Sequence, residues 1–333
     1  MQLSNCLTDL EGIFVGHATD TKLGSGVTAI VFAAPAVASV AVLGGAPGGR
    51  DLDLLAPEMT APAINAVVLS GGSTFGLDAA GGVQAALRED GRATRVGPML
   101  VPLAPQAILF DLLNGGDKDW GRFPPYRDLG YAAARAAAPG PFALGSVGAG
   151  TGASTATLKG GLGSASARTA SGHLVAAIAA VNALGTATVG ETRHFWAAPF
   201  EVGDEFGGFG LPARFGPEAT ALRLKGRPAA QPGTTIGLVA TDAVLDKAQA
   251  KRLAIAGHDG LARAVWPAHL ALDGDTIFAA ATGRRPLGDA RQELAELCHA
   301  AAGVFARAVA RGVFNATALP HPGAQEAWRD RFG

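Results

Sequence analysis

The 333-residue sequence has few of the features on which several functional classes depend. Its two cysteines, Cys6 and Cys298, lie far apart and form neither a disulfide framework nor a zinc-binding spacing. The 27 basic and 28 acidic side chains nearly cancel and no basic run occurs, which argues against nucleic-acid and membrane-surface partners. No signal-peptide pattern and no 18-residue apolar run occur. We therefore expect a soluble cytoplasmic protein.

Glycine and short apolar runs are abundant instead. The 47 glycines follow no G-X-Y period, and 48% of the residues are hydrophobic, which is typical of a globular chain with many tight turns. Runs rich in Val, Ile and Ala, each ending near Gly, Pro or Asn, predict buried strands. These runs are GVTAIVF (26–32), ASVAVLGG (38–45), AINAVVLSGG (63–72), HLVAAIAAVNALG (173–185), TTIGLVATD (234–242) and TIFAAATG (276–283).

Helical patterns lie between some of these runs, over 74–90, 242–265 and 289–314. Asp242 is placed to cap the second helix, and Cys298 falls on the apolar side of the third, where it is interpreted as a small core residue. Strands alternating with helices predict an α/β layered architecture. Only the stretch 199–233 shows neither alternation nor helical periodicity.

Several familiar motifs are incomplete. GAGTGA (148–153) follows a possible strand, FALGSV, and matches the dinucleotide fingerprint, but no acidic residue occurs between Asp128 and Glu191 to hold a ribose. A glycine-rich turn is the better interpretation. No H-x-x-x-H spacing and no G-x-S-x-G elbow occur, so His258 and His299 are interpreted as core or surface histidines. We expect no metal or cofactor.

Four polar residues in small or apolar surroundings remain as candidates, each with an ordinary alternative. Lys159, in STATLKGGLGS, is either an exposed loop residue or a charge held in a cleft. Asn182, in an apolar run, either makes a structural hydrogen bond or donates to an oxyanion. Asp273 and Asp275, in ALDGDTIF, either form a simple turn or orient a nucleophile.

The stretch QPGTTIGLVATD (231–242) combines a Pro-Gly break with a buried strand that begins with two threonines. Such a junction is either an ordinary turn or a place where the chain is cut. The preceding residues, KGRPAAQ, are interpreted as a soft polar linker.

Taken together, these segments resemble the DmpA-type self-processing aminopeptidases, a family that includes the NylC-type nylon-oligomer hydrolases. The resemblance is carried, in chain order, by EGIFVGHATD, GVTAIVF, LSGGSTFGLDAAGGV, VGAGTGASTATLKGG, VNALG, GTTIGLVATD and LDGDTIFA. It implies a layered αββα sandwich of the DmpA/ornithine acetyltransferase type, similar to the N-terminal nucleophile hydrolases.

The resemblance also implies a cleavage between Gly233 and Thr234. The fragments 1–233 and 234–333 would remain parts of one intertwined domain. Thr234 would become the nucleophile and, through its new amino group, the base. Lys159 would lower the pKa of that amine, Asn182 would donate to the oxyanion, and Asp273 and Asp275 would hold the reacting groups.

The implied activity is amide hydrolysis, either as an aminopeptidase or on linear 6-aminohexanoate oligomers. Gly233 departs from the nylon branch, which carries Asn before the scissile bond. The alternatives are acyl transfer of the ornithine acetyltransferase type and an uncleaved, inactive protein. Family resemblance also implies a homotetramer of cleaved protomers. Phe75 and the loop around Trp120 are candidates for the substrate pocket, with a core position the favoured interpretation of Phe75.

Overall fold

The computed structural model describes residues 3–226 and 231–333. In chain order its strands are β1 (Ile13–Asp20), β2 (Ser25–Val42), β3 (Gly49–Arg50), β4 (Ile64–Ser70), β5 (Thr94–Val96), β6 (Met99–Val101), β7 (Gln106–Ile108), β8 (Gly161–Arg168), β9 (Leu174–Asn182), β10 (Thr234–Ala243) and β11 (Thr276–Arg285). Its helices are α1 (Ala79–Glu89), α2 (Tyr126–Arg135), α3 (Lys247–Ala264), α4 (Ala290–Phe314) and α5 (Trp328–Phe332).

The long strand β2 belongs to two sheets at once. Its first part pairs antiparallel with β1 and β4, and a register shift between Val31 and Ala36 precedes the part that pairs antiparallel with β11. The first sheet continues from β4 through β7 to β3, and the second continues from β11 through β10 and β9 to β8. Strand β10 therefore lies between antiparallel β9 and parallel β11, in the middle of its sheet.

Three apolar layers hold the two sheets and the helices together. Side chains such as Ile30, Leu69, Ile178 and Phe278 fill the space between the sheets. Helices α1 and α2 cover the outer face of the first sheet, and α3 and α4 cover the outer face of the second. The architecture is the predicted αββα sandwich. Because both faces of β10 are covered, its sequence is a continuous apolar run without alternation.

The predicted strands and helices are present, with shifted boundaries. The runs at 26–32 and 38–45 form one strand, β2, instead of two. Asp242 is not a helix cap: it stays in β10, where its carboxylate accepts a hydrogen bond from the Leu174 N–H at 2.9 Å. Helix α3 begins later, capped by Asp246, whose carboxylate accepts from the Gln249 N–H at 2.7 Å.

Two regions differ from the sequence-based expectation. FALGSV forms no strand, and GAGTGA opens with a short 3-10 turn at Gly148–Gly150, so the dinucleotide geometry is absent there. Cys298 is partly buried at the edge of the core, in α4. Within the described residues, α4 alone is long and apolar enough to cross a membrane by length and composition, and most of its apolar window is buried inside the fold.

Candidate active site

Thr234 begins strand β10 at the end of the sheet where three chain segments meet. Its Cα lies opposite that of Asn182, the last residue of β9, and the preceding Gly233 forms a parallel bridge with Asp273. The Thr234 side chain is buried, and its hydroxyl lies against the carbonyl oxygen of Gly233. A hydroxyl group is therefore in contact with the peptide group that precedes it.

Gly233 is held tightly between two loops. Its N–H donates to the Leu272 carbonyl at 3.2 Å, and its carbonyl accepts from the Gly274 N–H at 3.0 Å. A Cβ atom at residue 233 would lie 2.2 Å from the Leu184 nitrogen, so no other residue fits without movement of the backbone. This explains physically why glycine precedes Thr234. The Gly274 N–H is also placed to stabilise negative charge on the Gly233 oxygen.

The two aspartates of the DGD turn bind backbone groups around Thr234. Asp273 accepts from the N–H groups of Leu184 at 3.2 Å and Leu270 at 3.0 Å. Asp275 accepts from the Thr235 N–H at 2.7 Å, which fixes the start of β10. Burial, assisted by the charge of Asp275, raises the pKa of Asp273 to about 6. Asp275 thus positions the chain that follows the Gly233–Thr234 bond, and Asp273 positions the Leu184 backbone, which lies against Gly233.

Lys159 is buried, so its interpretation as an exposed loop residue is wrong. Its ammonium donates to three backbone carbonyls, those of Gly150 at 3.2 Å, Ala153 at 2.7 Å and Gly160 at 2.9 Å. An ammonium has three N–H donors, and these carbonyls account for all three. Burial lowers the pKa of Lys159 to about 7.

Asn182 is fully buried, and both polar atoms of its side chain have hydrogen-bond partners within the protein. Its side-chain oxygen accepts from the Ser154 N–H at 3.0 Å and from the Lys225 ammonium at 2.6 Å. Its amide nitrogen donates to the Phe110 carbonyl at 2.9 Å. The predicted role as an oxyanion donor therefore requires this nitrogen to exchange the Phe110 carbonyl for the substrate.

Lys225 is a site residue that sequence reasoning missed. It lies in the segment interpreted as a polar linker, yet it is buried, and burial lowers its pKa to about 7. Its backbone N–H donates to the Leu184 carbonyl at 3.0 Å, which ties it to the same loop that contacts Gly233. A signal existed in the sequence, because no lysine occurs between Lys159 and Lys225.

His269 was also missed. Its ring Nδ1 lies 2.8 Å from Asp275 Oδ2, and its backbone N–H donates to the same oxygen at 3.0 Å. Burial alone would lower the pKa of His269, but the hydrogen bond and charge of Asp275 raise it above its usual value. His258 packs against this ring at 4.9 Å and is the core histidine that was expected.

The predicted substrate-pocket residues lie together but outside the cavity beside Lys159. Phe75 and Trp120 make an edge-to-face contact with centroids 5.4 Å apart, and Trp120 packs on Tyr126. The Phe75 side chain is 48% exposed, so its interpretation as a core residue is wrong. A cavity of about 150 Å³ is lined by Lys159 and Lys225, and neither aromatic residue belongs to its wall.

Comparison with known proteins identifies the family. The model of peptidase family S58 matches residues 5–326. The chain belongs to peptidase family S58. An uncharacterized aminopeptidase of Mycobacterium tuberculosis is 41% identical over 334 aligned positions, which cover 94% of each chain. A 6-aminohexanoate-oligomer endohydrolase of Kocuria sp. is 29% identical over 286 positions, covering 82% of this chain and 74% of that relative.

Solved structures of similar proteins share the fold. A β-aminopeptidase of Burkholderia sp. superposes with a TM-score of 0.69 at 23% identity, covering 98% of this chain and 92% of that one. An L-aminopeptidase D-Ala-esterase/amidase of Ochrobactrum anthropi, described as a variant of the Ntn hydrolase fold, superposes with a TM-score of 0.68 at 20% identity, covering 97% and 90%. The S58 protein described here is thus a hydrolase of amide bonds with an Ntn-type fold.

Proposed function

We propose that this protein is a self-cleaving amide hydrolase whose nucleophile is the N-terminal threonine released by cleavage between Gly233 and Thr234. The observation that carries the proposal is the contact between the Thr234 hydroxyl and the Gly233 carbonyl, whose oxygen also accepts from the Gly274 N–H at 3.0 Å. Nucleophile, electrophile and a donor for the developing oxyanion are therefore adjacent before any substrate binds.

Self-cleavage proceeds in two balanced steps. The Thr234 oxygen attacks the Gly233 carbonyl carbon, the C–N bond breaks, and the hydroxyl proton is transferred to the departing nitrogen, which leaves an ester between the two residues. Water then attacks the ester carbonyl. The products are a carboxylate at Gly233, a free amine and hydroxyl at Thr234, and one released proton.

The new amine supplies the base for turnover. An α-amine has a reference pKa of about 7.7–8.0, which suits proton transfer near neutral pH. It takes the proton from the Thr234 hydroxyl as the oxygen attacks the substrate carbonyl, and it returns that proton to the departing amine. Water releases the acyl group from Thr234. The ammonium groups of Lys159 and Lys225 favour the neutral form of the amine.

The substrates are peptides, cleaved in the manner of an aminopeptidase, or linear amide oligomers. Relatives with both kinds of name support these two classes, and the shared fold is compatible with each. The resemblance to the self-processing aminopeptidases leads us to propose further that the cleaved protomers assemble as a homotetramer. A cytoplasmic location is a separate proposal.

A matched pair of threonine variants tests the proposal. Thr234→Ala removes the attacking oxygen, so we expect neither self-cleavage nor hydrolysis of any amide. Thr235→Val removes the neighbouring hydroxyl, which is buried without a hydrogen-bond partner among the described residues, and should leave both intact. The readouts are the intact mass of each purified protein and its rate of amide hydrolysis. Cleavage in Thr234→Ala, or its loss only in Thr235→Val, would overturn the proposal.

A further inference from the structure

The cavity beside Lys159 is partly open to solvent, and its wall is unusual in its charge. The volume of the cavity is about 150 Å³, and its wall includes two buried ammonium groups, those of Lys159 and Lys225. Its other polar wall residues are neutral: Asn114, Ser154, Gln231 and Gln325. Within the described residues, no carboxylate forms part of this wall. A cationic ligand would therefore find no counter-charge on its surface.

The nearest carboxylates lie behind the wall and are already engaged. Asp111 lies behind Gly152, and its oxygens accept from the Ser25 hydroxyl and the Gly72 N–H, each at 2.7 Å. Asp273 accepts two backbone N–H groups, as described above. Burial outweighs the attraction of Asp111 for both lysines, and of Asp273 for Lys225, and holds the pKa of each lysine near 7. An anion in the cavity would compensate for the lost hydration of both ammonium groups.

Lys225 has donor capacity directed at this region. Its ammonium can donate three hydrogen bonds, and the described acceptors are the Asn182 side-chain oxygen at 2.6 Å and the Ser154 carbonyl at 3.4 Å. The second bond is long. A ligand oxygen within reach would therefore gain a charge-assisted hydrogen bond without breaking the short one to Asn182.

The position of the segment before Gly233 indicates that the acyl part of a substrate reaches the cavity. In self-cleavage, the residues before Gly233 occupy the acyl side of the scissile bond. Two residues upstream, Gln231 lines the cavity, and its N–H donates to the Lys225 carbonyl at 2.9 Å. Three residues of extended chain span roughly 10 Å. After cleavage, an acyl group that takes the place of this segment and follows the same path would bring its third residue, or an equivalent length of chain, to the two lysines.

We propose that this cavity is an acyl-side subsite for a substrate oxygen, a carboxylate above all, and that it disfavours an ammonium group. The inference rests on the proposed function and narrows its substrate class to amides whose acyl part extends about three residues, which is the oligomer class and not removal of a single N-terminal residue. The enzyme prefers amides whose acyl part carries an acyl-blocked or acidic group about three residues from the scissile carbonyl. A free amino group at that distance is repelled by Lys159 and Lys225 and finds no acid in the wall.

Three p-nitroanilides that differ at one end test the subsite: Ala-Ala-Gly p-nitroanilide with a free amine, with an N-acetyl group and with an N-succinyl group. Glycine precedes the scissile bond in each, as Gly233 does in the chain. For the wild-type enzyme we expect kcat/KM to rise in that order, by at least tenfold from the free amine to the succinyl substrate. Equal rates, or a preference for the free amine, would overturn the inference.

Variants connect the preference to the cavity. Lys225→Met should reduce the succinyl-to-amine ratio to within about threefold of unity. Lys247→Met removes a lysine that donates to Leu54 and Met59 carbonyls at the start of α3, and should leave the ratio unchanged. Gln325→Glu keeps the size of a wall residue and adds a negative charge, so it should lower the ratio at least fivefold. If Lys225→Met does not cleave itself, the ratio measured for Gln325→Glu tests the subsite instead.

Failure of this inference differs from failure of the proposed function. A cleaved wild-type enzyme that hydrolyses all three anilides equally, or a Gln325→Glu variant with an unchanged ratio, contradicts the subsite alone. An uncleaved wild-type protein that hydrolyses none of them contradicts the proposed function, and the subsite with it.

Discussion

Thr234 lies between two groups of residues that differ in the hydrogen bonds they make. On one, the aspartate side (His269, Asp273, Gly274 and Asp275), the carboxylates bind backbone N–H groups of the turn itself and of the loop and strand beside it. On the other, the lysine side (Ser154, Lys159, Asn182 and Lys225), two buried ammonium groups donate to oxygen atoms, Lys159 to backbone carbonyls and Lys225 to the Asn182 side chain. The Asn182 side chain is hydrogen-bonded to Lys225, which is 43 residues away in the chain, and to Phe110, which is 72 residues away.

The two sides also differ in charge. Burial and the neighbouring Asp275 raise the pKa of Asp273 to about 6, whereas burial lowers the pKa of both lysines to about 7. Each shift disfavours the charged form of its group. In the proposed mechanism, the aspartate side fixes the backbone around the scissile bond, and the lysine side sets the electrostatic environment of the Thr234 amine.

The largest expected effect comes from Gly233, which contacts the aspartate side and the loop that contains Leu184. In Gly233→Ala the new Cβ would lie 2.2 Å from the Leu184 nitrogen and 2.6 Å from its Cα, so the carbonyl must move away from the Gly274 N–H. We expect self-cleavage to slow at least 100-fold, followed by intact mass over time. Gly216→Ala is the control, because its Cβ meets nothing within 4 Å. Cleavage of Gly233→Ala at the wild-type rate would contradict the described geometry.

The variant Asn182→Ala distinguishes the contribution of the lysine side to self-cleavage from its contribution to substrate hydrolysis. The scissile carbonyl of the precursor is held by Gly274, whereas Asn182 is the predicted donor for the substrate oxyanion. We expect self-cleavage to persist while kcat falls by about 10²–10³-fold, the usual cost of removing one such donor. Asn65→Ala removes another buried amide, bonded to the Leu103 N–H at 2.9 Å, and should change neither rate. Equal loss of both rates in Asn182→Ala would mean that one donor serves both reactions.

His269→Asn weakens the aspartate side by a smaller amount. Asparagine tolerates the left-handed backbone at this position, where φ is 57°, but leaves Asp275 without the ring. Because the pKa of His269 is raised on folding, its stabilising contribution is complete below about pH 6.5 and is lost as the pH rises through the folded value. Urea unfolding should therefore show a stability difference between wild type and variant that is larger at pH 5.5 than at pH 8.5. A difference that grows with pH would contradict the His269–Asp275 pairing.

The smallest effect is expected outside both sides. Phe75→Ala removes an edge-to-face contact with Trp120, which typically contributes about 0.5–1.5 kcal/mol to stability. Since neither ring lines the cavity beside Lys159, kcat/KM on the anilide series should stay within twofold of wild type. A tenfold rise in KM would restore Phe75 and Trp120 as pocket residues.

The fold was largely predictable because its central strands are buried on both faces. The apolar runs that became β9, β10 and β11 could be recognised from composition alone. Strand β8 was not recognised, since its sequence GLGSASAR is rich in small residues with low strand propensity. The structure supplies the reason: a Cβ on Gly163 would lie 1.9 Å from the Ala308 carbonyl, so α4 approaches too closely for larger residues.

The candidate site could be recognised in the sequence where its residues are close together in the chain. The DGD turn and the Gly-Thr junction are short patterns, and family resemblance supplied their roles. The contact of Lys225 with Asn182 crosses 43 residues, and burial turned what looked like a linker lysine into a wall of the cavity. No spacing in the sequence encodes that burial. His269 was missed because its importance depends on the turn that places its ring against Asp275.

The measurement that tests the account most directly is the intact mass of the purified wild-type protein under denaturing conditions, with the N-terminal sequence of any fragment. The account predicts two chains, residues 1–233 and 234–333, the second beginning Thr-Thr-Ile-Gly. A single chain that stays uncut while hydrolysing amides, or a cut at any other bond, would contradict the assignment of Thr234 as the nucleophile.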